Sequence, residues 1–408
     1  MPGKKIVFGL LWHSMNSDNL GVGALTVGHM AIIEDVCRDL DVDPYFDVIG
    51  WTDPKPFYFE RPNLSVTQLK LSDYLKPGGL WRAFRRCDIV MDISGGDSFA
   101  DIYGVSRILK MIAAQNLALF AGRPLVISPQ TIGPFERPVI RRLALNSMRR
   151  AAAVATRDDP STRFAREMGF KGEIIEASDV AFRMSYDPPP PKQPGAPIKV
   201  GLNISGLLAN GGYTGDNMFG LTVDYPKLAR DIVSHFAGID GVETHMVGHV
   251  LSQSQPVEDD REAGIKIAAD FPGVKVAPAF NTPMEAKSYI AGMDYFVGAR
   301  MHACIAALTT GVAVMPTAYS RKFAGVFGTV GYLHCADCKT EDHATILEKV
   351  KWGFENRAAL AAECITAANT GRDRLKSYEA WLTQFLIQNH NAKASAGSHE
   401  ESLDANNA

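Results

Sequence analysis

Two side chains in one short stretch, Arg300 and His302 of GARMHACIAALTTGVAVMP, are of the types needed to hold an anion and to move a proton. They follow an apolar run, Tyr295 to Gly298, and precede small residues that end at Gly311 ahead of a second β-rich run from Val312 to Met315. That order reads strand, tight turn, helix, strand. The loop leaving a strand's carboxyl end opens on the crevice where ligands sit, and the following helix aims free N–H groups at it. An i, i+2 spacing puts the two side chains on different helix faces, so they converge on one ligand only from the turn itself. A solvated arginine and a histidine that caps the helix would fit the same letters.

Other strand-end loops offer partners. NSDNLGVGALT carries Asp18 and Asn19, with Gly21 and Gly23 just ahead of a helix, so backbone amides could approach a phosphate or a sugar. The spacing is GxG without a third glycine, short of a dinucleotide fingerprint. SGGDSF places Gly95, Gly96, Asp97 and Ser98 at another strand end, where Asp97 would either accept a hydroxyl proton or cap the next helix. QTIGPF reads as a shaped turn lining the cleft. ATRDDPS sets Arg157 beside a helix N-terminus, or leaves it solvated. AYSRKFAGVFGTVGY is a short helix carrying Lys322.

Metal chemistry finds little support. Cys335 and Cys338 have redox-motif spacing without a second Cys or His pair, and His245 and His249, four apart, begin in a strand with no HExxH. No metal site is expected. Neither a GxSxG elbow nor a GxxxxGK[ST] loop occurs, which removes the obvious hydrolase and P-loop readings.

The elements that must position these loops alternate. Strands are expected over 5–11, 45–51, 64–69, 87–94, 124–129, 152–156 and 172–177. The helices between them include 24–40, 139–150 and one capped by Asp159 with Pro160 at its first position. DPPPPKQPGAP then interrupts, because proline lacks a donor and fixes φ. A second alternating series follows it. The expected organisation is an N-terminal Rossmann-like domain over 1–187, a Pro-rich linker over 188–197 and a second Rossmann-like domain over 198–370. A C-terminal helix over 371–390 and a disordered tail over 391–408 complete it. The fold class is thus α/β, two doubly wound domains facing a cleft.

With 408 residues, 46% hydrophobic and 21% charged, the chain is long enough for two cores, and a net charge of −3 argues against general nucleic-acid binding. Six scattered cysteines suit a reducing cytoplasm, free or peripherally at the inner face of a membrane. MPGKKIVFGLLW reads as the first strand, and no run of about 18 apolar residues predicts a transmembrane span.

Taken in order, NLGVGAL, SGGDSF, PQTIGPF, ATRDDPS, ASDVAF, GARMHACIAALTTGVAVMP and the segment from Tyr319 to Lys322 resemble the polysaccharide pyruvyl transferase family across most of residues 6–330. The resemblance implies a B-type glycosyltransferase-like architecture and phosphoenolpyruvate as donor, with no other cofactor. It also implies transfer to a sugar, free or lipid-linked, as a pyruvate ketal in polysaccharide or exopolysaccharide biosynthesis. Val22 stands where family members often carry an aspartate after the first-loop glycine, so that role is absent or falls to Asp18. The donor carries a carboxylate and a phosphate of about −1.5 to −2 charge, which Arg300, His302, Lys322 and Arg157 could meet. His302 is the candidate acid and Asp97 the candidate base, with Asn19, Gly21, Gly95, Gly96 and Ser98 as substrate contacts. A nucleotide-sugar glycosyltransferase and a catalytically silent sugar- or phosphate-binding protein remain as alternatives. The acceptor sugar and the oligomeric state are left open.

Overall fold

Strands that are apolar from end to end fit a sheet covered on both faces, and the parallel pairing found here places them there. The structure, a computed structural model, describes residues 3–74, 76 and 78–404, without the side chains of Arg321 and of 390–404. The first sheet contains β1 (Lys4–Leu11), β2 (Val42–Gly50), β3 (Leu64–Gln68), β4 (Ile89–Asp92), β5 (Leu125–Gln130), β6 (Ala153–Thr156) and β7 (Ile175–Glu176). Its order is β3-β2-β1-β4-β5-β6-β7, all parallel. The second contains β8 (Ile198–Asn203), β9 (Val242–Met246), β10 (Lys275–Val276), β11 (Tyr295–Gly298), β12 (Ala313–Ala318) and β13 (Ala336–Asp337). Its order is β10-β9-β8-β11-β12-β13, again parallel. The strand order reverses between β1 and β4 and between β8 and β11, and crevices at such switch points receive ligands. Residues 188–197 belong to neither sheet, and Lys192 anchors them to Asp294 at the foot of β11 at 2.7 Å.

The two halves share apolar contacts as well as a cleft. One buried cluster joins Phe8 and Leu25 of the first half with Phe182, with Ala303 and Phe327 of the second, and with Tyr378 of the last helix. The helix Leu20–Asp39 at its centre is long and apolar enough to cross a membrane, but 83% of its apolar window is buried, as in a core helix.

Three local expectations change. The first helix starts at Leu20 rather than residue 24, because Asn19 Oδ1 accepts the Gly21 N–H at 3.0 Å and caps it, so Gly21 and Gly23 lie inside the helix. The next cap is Asp158, whose carboxylate takes the Ser161 N–H at 2.8 Å, while Asp159 is the first helical residue and Pro160 the second. Finally, the break expected near residue 370 is absent. The helices are His343–Glu355 and a single Arg357–Asp404. Its backbone carries on through 391–404 of the expected tail, a stretch containing good helix formers such as alanine, lysine and glutamate. Residues 405–408 lie outside the described residues.

Candidate functional site

The loops leaving β1, β4, β6, β9, β11 and β12 meet around a pocket of ≈ 90 Å³. It is lined by Asn19, Val22, Gly95, Asp97 and Arg157 from the first half and by His249, Arg300, Met301, His302, Tyr319 and Lys322 from the second. Seven of the ten sequence-predicted residues therefore converge, Gly21, Gly96 and Ser98 standing behind the lining, and their partners differ from one to the next.

Arg157 is fully buried at the end of β6. Its Nε donates to Thr131 Oγ1 at 2.9 Å and Nη1 to Asp179 Oδ2 at 2.8 Å, while Nη2 is buried without a partner. Gly96 makes room for it: at φ +91°, its missing Cβ would stand 3.0 Å from Arg157 Nη1 and 2.7 Å from Leu25 Cδ1. An unpaired guanidinium N–H in a dry setting is costly, and an anionic ligand would relieve it.

His302 is the second residue of the helix Met301–Thr309, and Arg300 occupies the N-cap position with extended backbone and no side-chain cap bond. The two thus reach the pocket from the turn and the first helical residues. His302 Nε2 lies 3.6 Å from Asp179 Oδ2, just beyond hydrogen-bond distance, and has no other partner. Burial alone would raise the Asp179 carboxyl, but His302 and Arg157 outweigh it and bring it down to about 2. Asp179 itself is fixed by accepting the Ala181 N–H at 2.9 Å. On the other side of the ring stands Gly21, where a Cβ would meet His302 Nδ1 at 2.5 Å. Gly21 was expected as a ligand contact; its N–H is already taken by Asn19, and its part is to leave space for the imidazole.

Arg300 was expected to be free to fork onto a ligand. Instead its Nε and Nη2 donate to the fully buried Asp260 at 3.0 and 2.8 Å, and Nη2 also reaches Glu258 O at 3.0 Å. Burial would lower its affinity for the proton, and Asp260 more than offsets that, so the charge is locked. Of the three Arg300 guanidinium nitrogens, Nη1 is the one without a hydrogen bond to a described residue.

Asp97 was expected as a base or as a helix cap, and the geometry makes it a counter-ion. Lys322 Nζ pairs with Asp97 Oδ2 across the cleft, and the Tyr103 hydroxyl accepts from Lys322 at 3.0 Å while donating to the same oxygen at 2.7 Å. Burial would raise this carboxyl, but Lys322 and Arg157 pull it well below the usual carboxylate range. Desolvation would lower Lys322, and Asp97 pushes it above the ordinary lysine range. A carboxylate held this firmly in its charged form is a weak base. Ser98 is buried and does not line the pocket; its hydroxyl leans on Asp97 Oδ1 at 3.4 Å. Gly95 borders the pocket, whereas Gly96 acts through Arg157.

Asp179, Asp260, His249, Tyr103 and Tyr319 were not singled out for the site. Asp179 did stand in the ASDVAF string, as an aspartate just after a short strand, which is the only local signal available. His249 and His245 separate: His249 is buried at the pocket, lowered to about 3 by burial and by His302 and Arg300, while His245 sits on β9 against Glu243 and Tyr289. Cys335 and Cys338 flank β13 with both thiols free, and burial pushes each up to about 12. Among the described residues no group of three or more His, Cys, Asp or Glu is placed to hold a metal ion.

Two parallel sheets with interleaved helices, meeting at their strand ends, define the B-type glycosyltransferase fold, and solved structures agree. A Listeria monocytogenes protein ascribed UDP-N-acetylglucosamine 2-epimerase activity aligns at TM-score 0.57 and 10% identity over 95% of this chain and 97% of that one. Anabaena Alr3699/HepE in complex with UDP-glucose aligns at 0.53 and 12% over 95% and 99%. S. aureus MnaA with UDP aligns at 0.55 and 11% over 92% and 94%. No curated protein sequence matches the chain. The family model for polysaccharide pyruvyl transferase matches residues 19–321, and the chain belongs to that family.

Proposed function

We propose that the protein transfers the enolpyruvyl group of phosphoenolpyruvate to two hydroxyls of one sugar, forming a pyruvate ketal and releasing phosphate. The observation that carries the reading is the pair of buried, unpartnered nitrogens, Arg157 Nη2 and His302 Nε2, at one small pocket that Arg300 and Lys322 also line. At ≈ 90 Å³ the pocket suits a compact anion better than a nucleotide sugar, since sites for larger ligands run to about 300–1,000 Å³.

In this reading Arg157 Nη2 and Arg300 Nη1 bind the carboxylate and phosphate, and Lys322 neutralises the leaving phosphate. His302 donates a proton to the methylene carbon, which becomes the methyl group, and Asp179 stabilises the imidazolium from 3.6 Å. One sugar oxygen bonds to the central carbon, the carbon–oxygen bond to phosphate breaks, and the second sugar oxygen closes the ketal. Of the two hydroxyl protons, one replaces the proton given by His302 and the other leaves on phosphate. The residues before 187 form the acceptor side, and those from 198 to 370 supply most of the donor contacts. The reaction needs no redox step. The family membership supports a transferase of polysaccharide biosynthesis working where phosphoenolpyruvate is made, in the cytoplasm.

Thermal shift of the purified protein with phosphoenolpyruvate and with UDP-sugars, followed by phosphate release with a panel of acceptors, tests it. A shift with phosphoenolpyruvate and acceptor-dependent phosphate release are expected. A shift with nucleotide sugar alone would overturn the reading in favour of a glycosyltransferase, and binding without phosphate release across the panel would favour a silent binder.

A further inference from the structure

Next to the small pocket lies a groove of ≈ 640 Å³ that shares Asn19 and Val22 with it, so the two cavities adjoin at those residues. Its floor near the junction is aromatic. Trp12 and Trp51 are half-buried with ring centroids 6.4 Å apart, and Trp12 has a left-handed backbone, φ 60°, held by its N–H bond to Ile49 O at 2.8 Å. A left-handed backbone is unfavourable for a tryptophan, so the surrounding fold gives up stability to hold this indole at the end of β1. Trp12 Nε1 is buried with no partner. Half-exposed indoles stack on the apolar faces of sugar rings, and Asp53, also on the groove, offers carboxylate oxygens to hydroxyls.

Another part of the lining has a different character. Arg107 and Lys110, three apart on the helix Val105–Phe120, both line the groove and both are exposed. Neither has a carboxylate in ion-pair distance among the described residues, and the Arg107 guanidinium lies 5.7 Å from the Tyr103 ring centroid. Arg107 stands in the first turn of its helix, where the helix dipole disfavours a cation. In contrast Lys55, near the junction, is already matched to Asp18 at 3.2 Å. The groove thus combines two indoles with three carboxylates, Asp18, Asp53 and Glu258, of which Asp18 is paired with Lys55 and Glu258 is held by the Tyr213 hydroxyl, and two cations, Arg107 and Lys110, that no described carboxylate pairs.

We infer that the groove takes a saccharide whose accepting sugar stacks on Trp12 and Trp51 and whose next unit carries a negative charge, a carboxylate or a phosphate, to Arg107 and Lys110. The inference rests on the pyruvyl-transfer reading for the direction of the acceptor, and it adds that the acceptor is anionic. It also fits Tyr103, which faces the groove while its hydroxyl holds the Asp97–Lys322 pair of the pocket.

Binding of the full chain to an array of neutral oligosaccharides, uronate-containing oligosaccharides and sugar phosphates tests it, with the phosphoenolpyruvate thermal shift read in parallel. Retention of anionic over neutral saccharides is expected, and the uronate and phosphate arms identify which charge is read. The double variant R107E/K110E, on the exposed helix face, should lose roughly tenfold or more in binding to anionic saccharides as two attractions become repulsions. Its shift with phosphoenolpyruvate should stay. Trp51→Ala should weaken every saccharide, with Trp51→Phe restoring most of the binding. Equal retention of neutral and anionic saccharides, anionic binding unchanged in R107E/K110E, or no saccharide bound at all would overturn the inference. Loss of the phosphoenolpyruvate shift in the unmodified protein would instead count against the donor reading, because the array does not depend on it.

Discussion

Replacing Gly21 with alanine puts a methyl carbon 2.5 Å from His302 Nδ1 and 3.0 Å from Asn19 Oδ1. Relaxed contacts of this kind lie at about 3.5 Å or more, so the imidazole must retreat by about 1 Å. The backbone raises no objection of its own. Gly21 sits in the first turn of the helix Leu20–Asp39 and is not in the left-handed region. In a helix alanine is preferred to glycine by roughly 0.5–1 kcal/mol. The two effects therefore separate folding from chemistry: stability should hold or rise, while a 1 Å displacement of the proposed proton donor should cost on the order of 10²-fold in rate. Calorimetric Tm and steady-state phosphate release at saturating phosphoenolpyruvate read the two. The expected result is an unchanged or higher Tm, kcat lower by about a hundredfold and donor affinity little altered. Wild-type kcat in this variant would refute the claim that Gly21 sets the position of His302. A Tm lower by several degrees would show that the helix yields instead of the ring.

Three further outcomes follow from the same geometry. His302→Ala should lower kcat by ~10² to 10⁴ with a smaller change in donor affinity, and near-normal single-turnover chemistry at saturating donor would reduce His302 to a binding residue. Arg300→Lys keeps charge but loses the two-pronged contact with Asp260, so it should weaken phosphoenolpyruvate binding and also lower Tm. Arg300→Ala removes the cation paired with the buried Asp260, which keeps only its hydrogen bonds from Asn203 and from the Gly206, His249 and Val250 N–H groups, and should cost ~3–5 kcal/mol in denaturant unfolding; unchanged stability in both variants would refute the structural half of this role. Burial holds His13 and His249 down to about 3 and His29 well below its ordinary value. The unfolded chain protonates these rings near pH 6.5, so it binds more protons than the folded one below that value. Stability from these groups is therefore complete above about pH 6.5 and falls as the pH drops toward 3. A Tm that stays flat from pH 8 to pH 4 would contradict it.

Much of the fold was legible because parallel sheets write themselves plainly. YFVG and IVMD are buried at every position, and such runs, separated by helical stretches and glycine-bearing loops, specify strand after strand of one doubly wound pattern. Residues 188–197 belong to neither sheet, in keeping with a run of prolines, which lack both a donor and freedom in φ. Helix ends were less legible. Asp158 and Asp159 both make plausible caps, and only the position of Ser161 decides between them. The long last helix reads as two pieces at Gly371, yet a Cβ there would strike Phe182 at 2.2 Å, so this glycine marks close packing and not a helix end.

The location of the site was legible and its electrostatics were not, for a physical reason. A sequence shows which side chains are cations but not which carboxylates meet them, and here the partners lie far along the chain: Asp179 for Arg157, Asp260 for Arg300, Asp97 for Lys322. Those three pairs are not alike. Asp179 and Asp260 have no exposed side-chain surface, so their pairs are parts of the scaffold that aim Arg157 Nη2 and Arg300 Nη1 without being exchangeable. The Lys322–Asp97 pair is about one-fifth exposed on each side and borders the pocket, so solvent and ligand can both reach it. A multiply charged anion there would meet two fixed donors, Arg157 Nη2 and Arg300 Nη1, and one lysine whose charge is already shared with Asp97 and the Tyr103 hydroxyl.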